Sequence, residues 1–229
     1  MLTKACQIWG TVLVSITLLG YTRVNQDICN SSENPCPREC FKEEEKCDQL
    51  CHKGNYNCSL ECNGKNCDQD CDAESCNLEC SSKVCDQKCK NNVKECNMHC
   101  NASKCKQTCD ANECHITGSA IQDILEQKCN GGIDICDAKC YVSSGKCLQH
   151  CDAKICNLKC CGKECDQKCN GRVDRCNMFC TTNECKQTCD AGSCNTTEIQ
   201  LVNSLTEQKR TPNFNYRTLY YCNCLSYDN

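Results

Sequence analysis

CSLEC NGKN CDQDC DAES CNLEC SSKV CDQKC occupies residues 58–89 and sets the pattern for most of the chain. CxxxC units alternate here with four-residue gaps, and after one six-residue gap the pattern continues to Cys114. The middle residues of successive units alternate between apolar and amide side chains, in the order Leu60, Gln69, Leu78, Gln87, Met98 and Gln107. The full repeat is therefore two units, or eighteen residues.

A narrow β-solenoid explains this alternation. If each CxxxC unit is a short strand, both cysteines and the middle residue point to the same side, because alternate side chains of a strand share a face. The gaps are rich in Asn, Gly, Asp and Ser, which are typical turn residues. We therefore predict two tandem modules of disulfide-filled coils, with a Leu/Met ladder on one wall and a Gln ladder on the other.

A stack of single helical turns is the alternative fold. Cysteines at i and i+4 share a helical face, and segments such as DQK, NLE and KQT contain almost no β-branched residues. A helix would turn the middle residue away from the cysteines, however, and would leave the alternation of Leu and Gln unexplained. An irregular disulfide knot is a third arrangement that the spacing allows.

The composition indicates that cross-links replace an ordinary core. The chain has 36 cysteines in 229 residues, whereas aromatic residues make up only 5%. A cysteine content above roughly 8–10% is typical of a disulfide scaffold in a secreted chain. The net charge is −4 with both signs interspersed, which argues against nucleic acid, since its binding requires a clustered basic face.

The first residues predict the compartment. Residues 1–22 combine a basic start with an uncharged apolar run, which is the pattern of a secretory signal peptide. An uncleaved anchor is disfavoured because Arg23 follows closely and a spanning helix needs about twenty apolar residues. We therefore expect a secreted, extracellular protein without a membrane anchor, in an oxidising environment where cysteines pair.

The chain contains two cysteine arrays that are copies of each other. Residues 85–114 match residues 165–194 at a constant offset of eighty, which marks an internal repeat. The predicted organisation is array 1 at 29–114, a short amphipathic helix or cap at 115–128, array 2 at 129–194, a second cap helix at 195–209 and a tail at 210–229. Ile121, Ile124 and Leu125 support the first helix by their spacing.

Candidate sites are few, and none indicates an enzyme or a cofactor. There are four histidines, and the two that precede a CxxxC-closing cysteine, His99 and His150, match Glu, Lys, Thr or Phe elsewhere in the repeat. No nucleophile, phosphate-loop or zinc-protease motif is present. The sequence predicts N-glycosylation at Asn30, Asn57, Asn101 and Asn195, each within an N-x-S/T triplet. Lys209 and Arg210 form a dibasic pair at which a C-terminal peptide could be released.

Cys161 is predicted to be the odd cysteine. Its match in the first array is Ser81, and it directly follows Cys160. Neighbouring residues of a strand point to opposite faces, so Cys161 is expected outside the solenoid. An unpaired external thiol in a secreted protein suggests an intermolecular disulfide, and the sequence therefore predicts a covalent homodimer or attachment to a matrix partner.

These observations favour a non-enzymatic structural or protein-interaction protein of an extracellular matrix, coat or secretion, whose partner the sequence does not identify. One alternative is an extracellular protein that binds metal or calcium, because Asp and Asn follow many cysteines and calcium takes oxygen ligands. A second alternative is a precursor that releases a C-terminal peptide at Lys209 and Arg210.

Overall fold

The regular secondary structure of the described residues consists of β-strands. The computed structural model describes residues 45–90, 93–121, 123–182 and 184–199, together with the backbone of 24–29 and 36–40. These ranges contain no helix and form the strands β1 (Val24–Cys29), β2 (Cys36–Cys40), β3 (Lys46–Cys51), β4 (Asn57–Cys62), β5 (Asn66–Cys71), β6 (Ser75–Cys89), β7 (Glu95–Cys109), β8 (Glu113–Ala120), β9 (Ile124–Cys129), β10 (Ile135–Val142), β11 (Lys146–Cys151), β12 (Ile155–Cys161), β13 (Glu164–Thr181) and β14 (Glu184–Ile199).

The strands form a parallel β-solenoid, as predicted. Every pairing between them is parallel and joins strands of neighbouring coils. The glutamine wall consists of β1, β3, β5, residues 84–89 and 104–109, β9, β11, and residues 164–169 and 184–189. The aliphatic wall consists of β2, β4, residues 75–82 and 95–102, β8, β10, β12, and residues 173–181 and 191–199.

The disulfides join consecutive strand units across the corners between the walls. Cys62 bonds to Cys67 and Cys71 bonds to Cys76, and the same connection recurs along the solenoid. Within a CxxxC strand the two cysteines lie about 13 Å apart, which is too far for a disulfide. Extended strand geometry therefore excludes pairing inside a unit and leaves the next cysteine across the corner as the partner.

Corners of two lengths set the length of each coil. Corners of four residues predominate, and corners of six include those between Cys51 and Cys58 and between Cys89 and Cys96. Equivalent residues on successive coils are accordingly 18, 20 or 22 positions apart. Because the two corner lengths differ by two residues and side chains alternate with period two, the same residues face inward throughout.

The interior contains the two predicted ladders. The buried glutamines of the glutamine wall donate from Nε2 to Oε1 of the glutamine one coil earlier, at 2.8–3.0 Å, and the row is Gln49, Gln69, Gln87, Gln107, Gln127, Gln149, Gln167 and the half-buried Gln187. The same Nε2 atoms also donate to backbone carbonyls of the aliphatic wall, as from Gln69 to Leu60 at 3.1 Å. The facing ladder is Leu60, Leu78, Met98, Ile116, Ala138, Leu158 and Met178.

The predicted cap helix at 115–128 is wrong. Residues 113–120 form β8 and residues 124–129 form β9, and both strands pair with β7. The apolar residues that suggested a helix lie at a corner: Ile121 and Ile124 are exposed there, whereas Leu125 points inward. The solenoid therefore continues from the first array into the second without an intervening cap.

The second predicted cap helix, at 195–209, is wrong for the residues that the structure describes. Residues 195–199 belong to β14 and pair with 177–181 of β13. The other residues of that segment and the tail at 210–229 lie outside the described ranges.

Candidate binding groove

The outer face of the aliphatic wall carries two rows of side chains that repeat from coil to coil. The amide row contains Asn77, Asn97, His115, Asp137, Asn157, Asn177 and Asn195. The mixed row runs parallel to it and contains Glu79, His99, Thr117, Lys139, Lys159, Phe179 and Thr197. Neighbours within a row are one strand spacing apart, about 4.8 Å.

A groove of about 570 Å³ runs along the two rows from the coil of His115 to the coil of Asn195. Parallel strands in register place equivalent residues directly above one another, so the groove follows the solenoid axis. Its volume lies within the range of about 300–1,000 Å³ that is typical of ligand sites. The groove is therefore the candidate site within the described residues.

Hydrogen bonds connect the members of the amide row within the groove. His115 Nδ1 lies 3.3 Å from Asp137 Oδ2, and Asn157 Nδ2 donates to Asp137 Oδ1. Asn177 Nδ2 donates to Asn157 Oδ1 at 2.8 Å. An amide has two N–H donors and an oxygen with two lone pairs, so these bonds orient each side chain and use only part of its capacity.

The mixed row supplies cations and an aromatic ring. Lys139 and Lys159 lie on successive coils and are partly buried. Lys159 Nζ is 5.9 Å from the centre of the Phe179 ring, within reach of a cation–π interaction. The row thus presents two positive charges beside one apolar face.

The side-chain charge of the mixed row changes from negative to positive along the solenoid. Glu61 and Glu79 occupy the positions that Lys139 and Lys159 occupy later in the row, and both glutamates are exposed. The basic part of the row therefore coincides with the groove, and the acidic part lies outside it.

The outer face of the glutamine wall has no such separation of charge. Its acidic and basic side chains interleave, as in the contacts of Lys88 with Asp68 at 3.8 Å and with Asp86 at 3.4 Å. Partial burial raises the pKa of Asp68, and the carboxylates of Asp86 and Asp48 add to the effect, whereas Lys88 opposes it. This wall is a solvated ionic surface.

The structure places three of the four predicted glycosylation sites on the surface. Asn57, Asn101 and Asn195 are exposed, and Asn30 lies outside the described residues. Asn101 Oδ1 accepts a hydrogen bond from Ser119 Oγ at 3.1 Å. Asn195 lines one end of the groove, so a glycan there would cover that end. Glycosylation at all four positions stays a prediction, as does processing at Lys209 and Arg210, which also lie outside the described residues.

The prediction of an unpaired, external Cys161 is wrong. Cys161 is buried and disulfide-bonded. Strand alternation predicts an exposed side chain at this position, yet Cys161, the last residue of β12, is buried like Cys160 before it. Thr181, its neighbour in register, is buried as well. Because Cys161 is disulfide-bonded, it does not provide the free thiol on which the predicted covalent homodimer was based.

Metal ligation by the clustered cysteines conflicts with their bonding state. The sulfur atoms of Cys51, Cys58 and Cys71 lie close together, and so do those of Cys140, Cys147 and Cys160. All six residues are in disulfides, and only a thiolate ligates metal. Asp72, Asp110 and Asp152, which follow the closing cysteine of a unit, lie at corners, as expected of turn formers. Asp110 Oδ1 accepts a hydrogen bond there from Asn130 Nδ2.

The sequence did not indicate the groove, because its residues are 18–22 positions apart and none forms a local motif. The signal that could have found it is the repeat itself. Aligning successive coils brings Asp137, Asn157 and Asn177 into one column and Lys139 and Lys159 into the next. His115 is the only one of the four histidines that lines the groove.

Within the described ranges, no helix is long and apolar enough to cross a membrane. Comparisons with protein-family models, with curated proteins and with solved structures give no match, so the geometry of the solenoid and of its groove is what informs the function of this chain.

Proposed function

We propose that the protein is a secreted, non-enzymatic glycoprotein that acts as a cross-linked rod and binds a protein or matrix partner of the extracellular space through the groove. The observation that carries this proposal is the bonding of every cysteine from Cys47 to Cys194. Such extensive oxidation is typical of secreted proteins and rare in the reducing cytosol.

The repeat architecture supports binding as the role of the rod. Each coil adds one more pair of outward side chains to the same rows, so the surface grows in one dimension and suits an extended partner. The disulfides hold the corners, and the hydrogen bonds of the amide row hold its side chains. A preorganised surface of this kind loses little conformational entropy on binding. The proposal includes no reaction and no cofactor.

Retention on extracellular matrix tests the proposal. The full chain would be secreted from a eukaryotic host, purified with its disulfides intact and applied to decellularised matrix. Asn157→Trp fills the groove, and Thr188→Trp adds the same bulk to an exposed position on the opposite wall. We expect Asn157→Trp to reduce retention at least about tenfold and Thr188→Trp to match the wild type. Equal retention of all three proteins would exclude the groove as the binding surface.

A further inference from the structure

We infer that the groove binds an anionic polysaccharide, whose chain runs along the solenoid axis over the amide row and the basic part of the mixed row. This inference rests on the proposed function, because it names the chemical class of the partner for the same groove. It follows from four features of the groove: the face on which it lies, its amide side chains, its two lysines and its aromatic ring.

The position of the groove on a sheet face limits how a ligand is recognised. The backbone N–H and C=O groups of β8, β10, β12 and β13 are used in the parallel ladders between coils. An extended peptide gains affinity from a sheet mainly by pairing with the backbone of an exposed edge. On this face only side chains are available, which favours a ligand whose own periphery is rich in hydrogen-bonding groups.

The amide row matches hydroxyl groups in its chemistry and its direction. A hydroxyl both donates and accepts a hydrogen bond, and so does a carboxamide. Asn157 and Asn177 are already oriented by bonds along the row, and the row repeats at about 4.8 Å along the axis. A polysaccharide presents hydroxyl groups repeatedly along its length, so successive amides meet successive groups of the same kind.

The lysines select an anionic ligand. Lys139 and Lys159 line the groove on adjacent coils beside the amide row, and Asp137 is the one carboxylate in the lining, where it contacts His115 and Asn157. The whole chain has a net charge of −4, which opposes indiscriminate binding of polyanions. Within the mixed row the two lysines lie in the groove, and Glu79 and Glu61 would repel an anionic chain beyond it.

Phe179 supplies the apolar contact. Its ring lines the groove next to Lys159 in the mixed row. The C–H face of a pyranose ring packs on an aromatic face, while its hydroxyl groups reach sideways to neighbouring side chains. The combination of an aromatic face, amides and paired lysines within one groove thus corresponds to an acidic sugar chain.

Titration calorimetry with defined polymers tests the inference on the purified full chain with intact disulfides. The probes are hyaluronan, which carries carboxylates, chondroitin sulfate, neutral dextran and poly-L-glutamate. We expect the two anionic polysaccharides to bind, neutral dextran to show no binding, and polyglutamate to bind at least tenfold more weakly than either of them. Affinity should fall as salt rises, because exposed charges are screened.

Two double variants with the same change in net charge locate the binding site. Lys139→Ser with Lys159→Ser should weaken binding at least about tenfold, because one charge-assisted hydrogen bond is worth about that factor. Lys106→Ser with Lys168→Ser removes two lysines from the outer face of the glutamine wall and should change affinity less than about twofold. Phe179→Ala should weaken binding without altering its salt dependence.

Three results would overturn the inference: equal loss in both double variants, equal binding of neutral dextran, or equal binding of polyglutamate. The wild type could fail to bind both anionic polysaccharides while Asn157→Trp still abolishes retention on matrix. That result would leave the proposed function intact and show that the ligand class is wrong. Loss of both effects would reject the groove as a binding site altogether.

Discussion

Leu125 packs against Gly118 at a corner where the coils on both sides are closed by disulfides. Gly118 lies in register with Cys100 and Cys140, and Leu125 with Cys105 and Cys147. Those neighbours form the bonds Cys100–Cys105 and Cys140–Cys147. A Cβ atom on Gly118 would lie 2.6 Å from Leu125 Cδ1. Leu125 therefore occupies the space of the missing disulfide, and Gly118 leaves room for it.

Gly118→Ala should destabilise the fold by about 1–3 kcal/mol, since the added methyl overpacks the interior. Leu125→Ala should cost about 2–5 kcal/mol through loss of burial and a cavity. The double variant should cost no more than Leu125→Ala alone, because removing the leucine makes room for the methyl group. Guanidinium unfolding of the oxidised proteins measures this coupling, and strictly additive losses would contradict the packing relationship.

Gly118→Cys combined with Leu125→Cys should complete the row of disulfides at this corner. The two positions have the same register as bonded cysteines above and below them, so their geometry suits a bond. Closing so short a loop adds about 2 kcal/mol, which roughly offsets the lost burial of the leucine. Intact mass and peptide mapping would reveal the bond, and free thiols at both positions in the folded variant would refute this reading of the corner.

Gln107→Glu should destabilise the interior in a pH-dependent way. A carboxylate there accepts from Gln127 but has no hydrogen to donate to Gln87. Burial raises the folded-state pKa of the new carboxyl above its unfolded value of about 4.3. The penalty should therefore be small below about pH 4 and grow as pH rises, reaching about 3–5 kcal/mol near neutrality.

The matched control for this variant is Gln187→Glu, at the half-buried position of the same ladder. It should lose much less stability at neutral pH. If the two variants have the same pH profile of stability, the ladder is not a buried hydrogen-bond network.

Asp68→Asn should stabilise the protein at neutral pH. The folded-state pKa of Asp68 is raised by burial and by Asp86 and Asp48, so the folded state holds its proton more tightly than the unfolded chain. This contribution to stability is lost as pH rises from the ordinary carboxyl value of 3.8 through the higher folded value. Thermal melting at several pH values should show a higher melting temperature for the variant than for the wild type at pH 7. This difference should vanish below the ordinary carboxyl pKa of 3.8. A difference that grows as pH falls would contradict the assigned cause.

Full reduction and alkylation should unfold the solenoid. The apolar ladder is one residue wide, and each disulfide contributes roughly 2–4 kcal/mol, less for short loops. Circular dichroism should lose its strand signal, and a protease should digest the reduced chain rapidly. An unchanged spectrum and unchanged protease resistance would show that the cross-links are dispensable.

The fold could be predicted from the sequence because the repeat is short and its middle residues alternate strictly between apolar and amide side chains. Leu60 and Gln69 identify the two walls, and the cysteines around them identify the inward face. The prediction failed where apolar residues cluster at a corner: Ile121, Ile124 and Leu125 have helical spacing, yet only Leu125 is buried. The spacing of apolar residues does not show that β7 pairs with both β8 and β9, which places this segment in the next coil.

The groove and the state of Cys161 depend on information that a linear reading lacks. Asp137, Asn157 and Asn177 form a column only once the coils are stacked in register. Cys161 looked external because strand alternation predicts exposure for the residue after Cys160, whereas both residues are buried in the structure. Pairwise register therefore determines the site, whereas composition and period determine the fold.

The pairing of consecutive cysteines across a corner, which recurs along the solenoid, has a consequence for biosynthesis. The bond between Cys62 and Cys67 involves only residues that leave the ribosome together, and so does the bond between Cys71 and Cys76. These bonds can therefore form in order as the chain is synthesised. Each finished coil presents a row of backbone donors and acceptors as a template for the coil that follows. The rod can therefore grow from its amino-terminal end through bonds between residues that are close in the sequence.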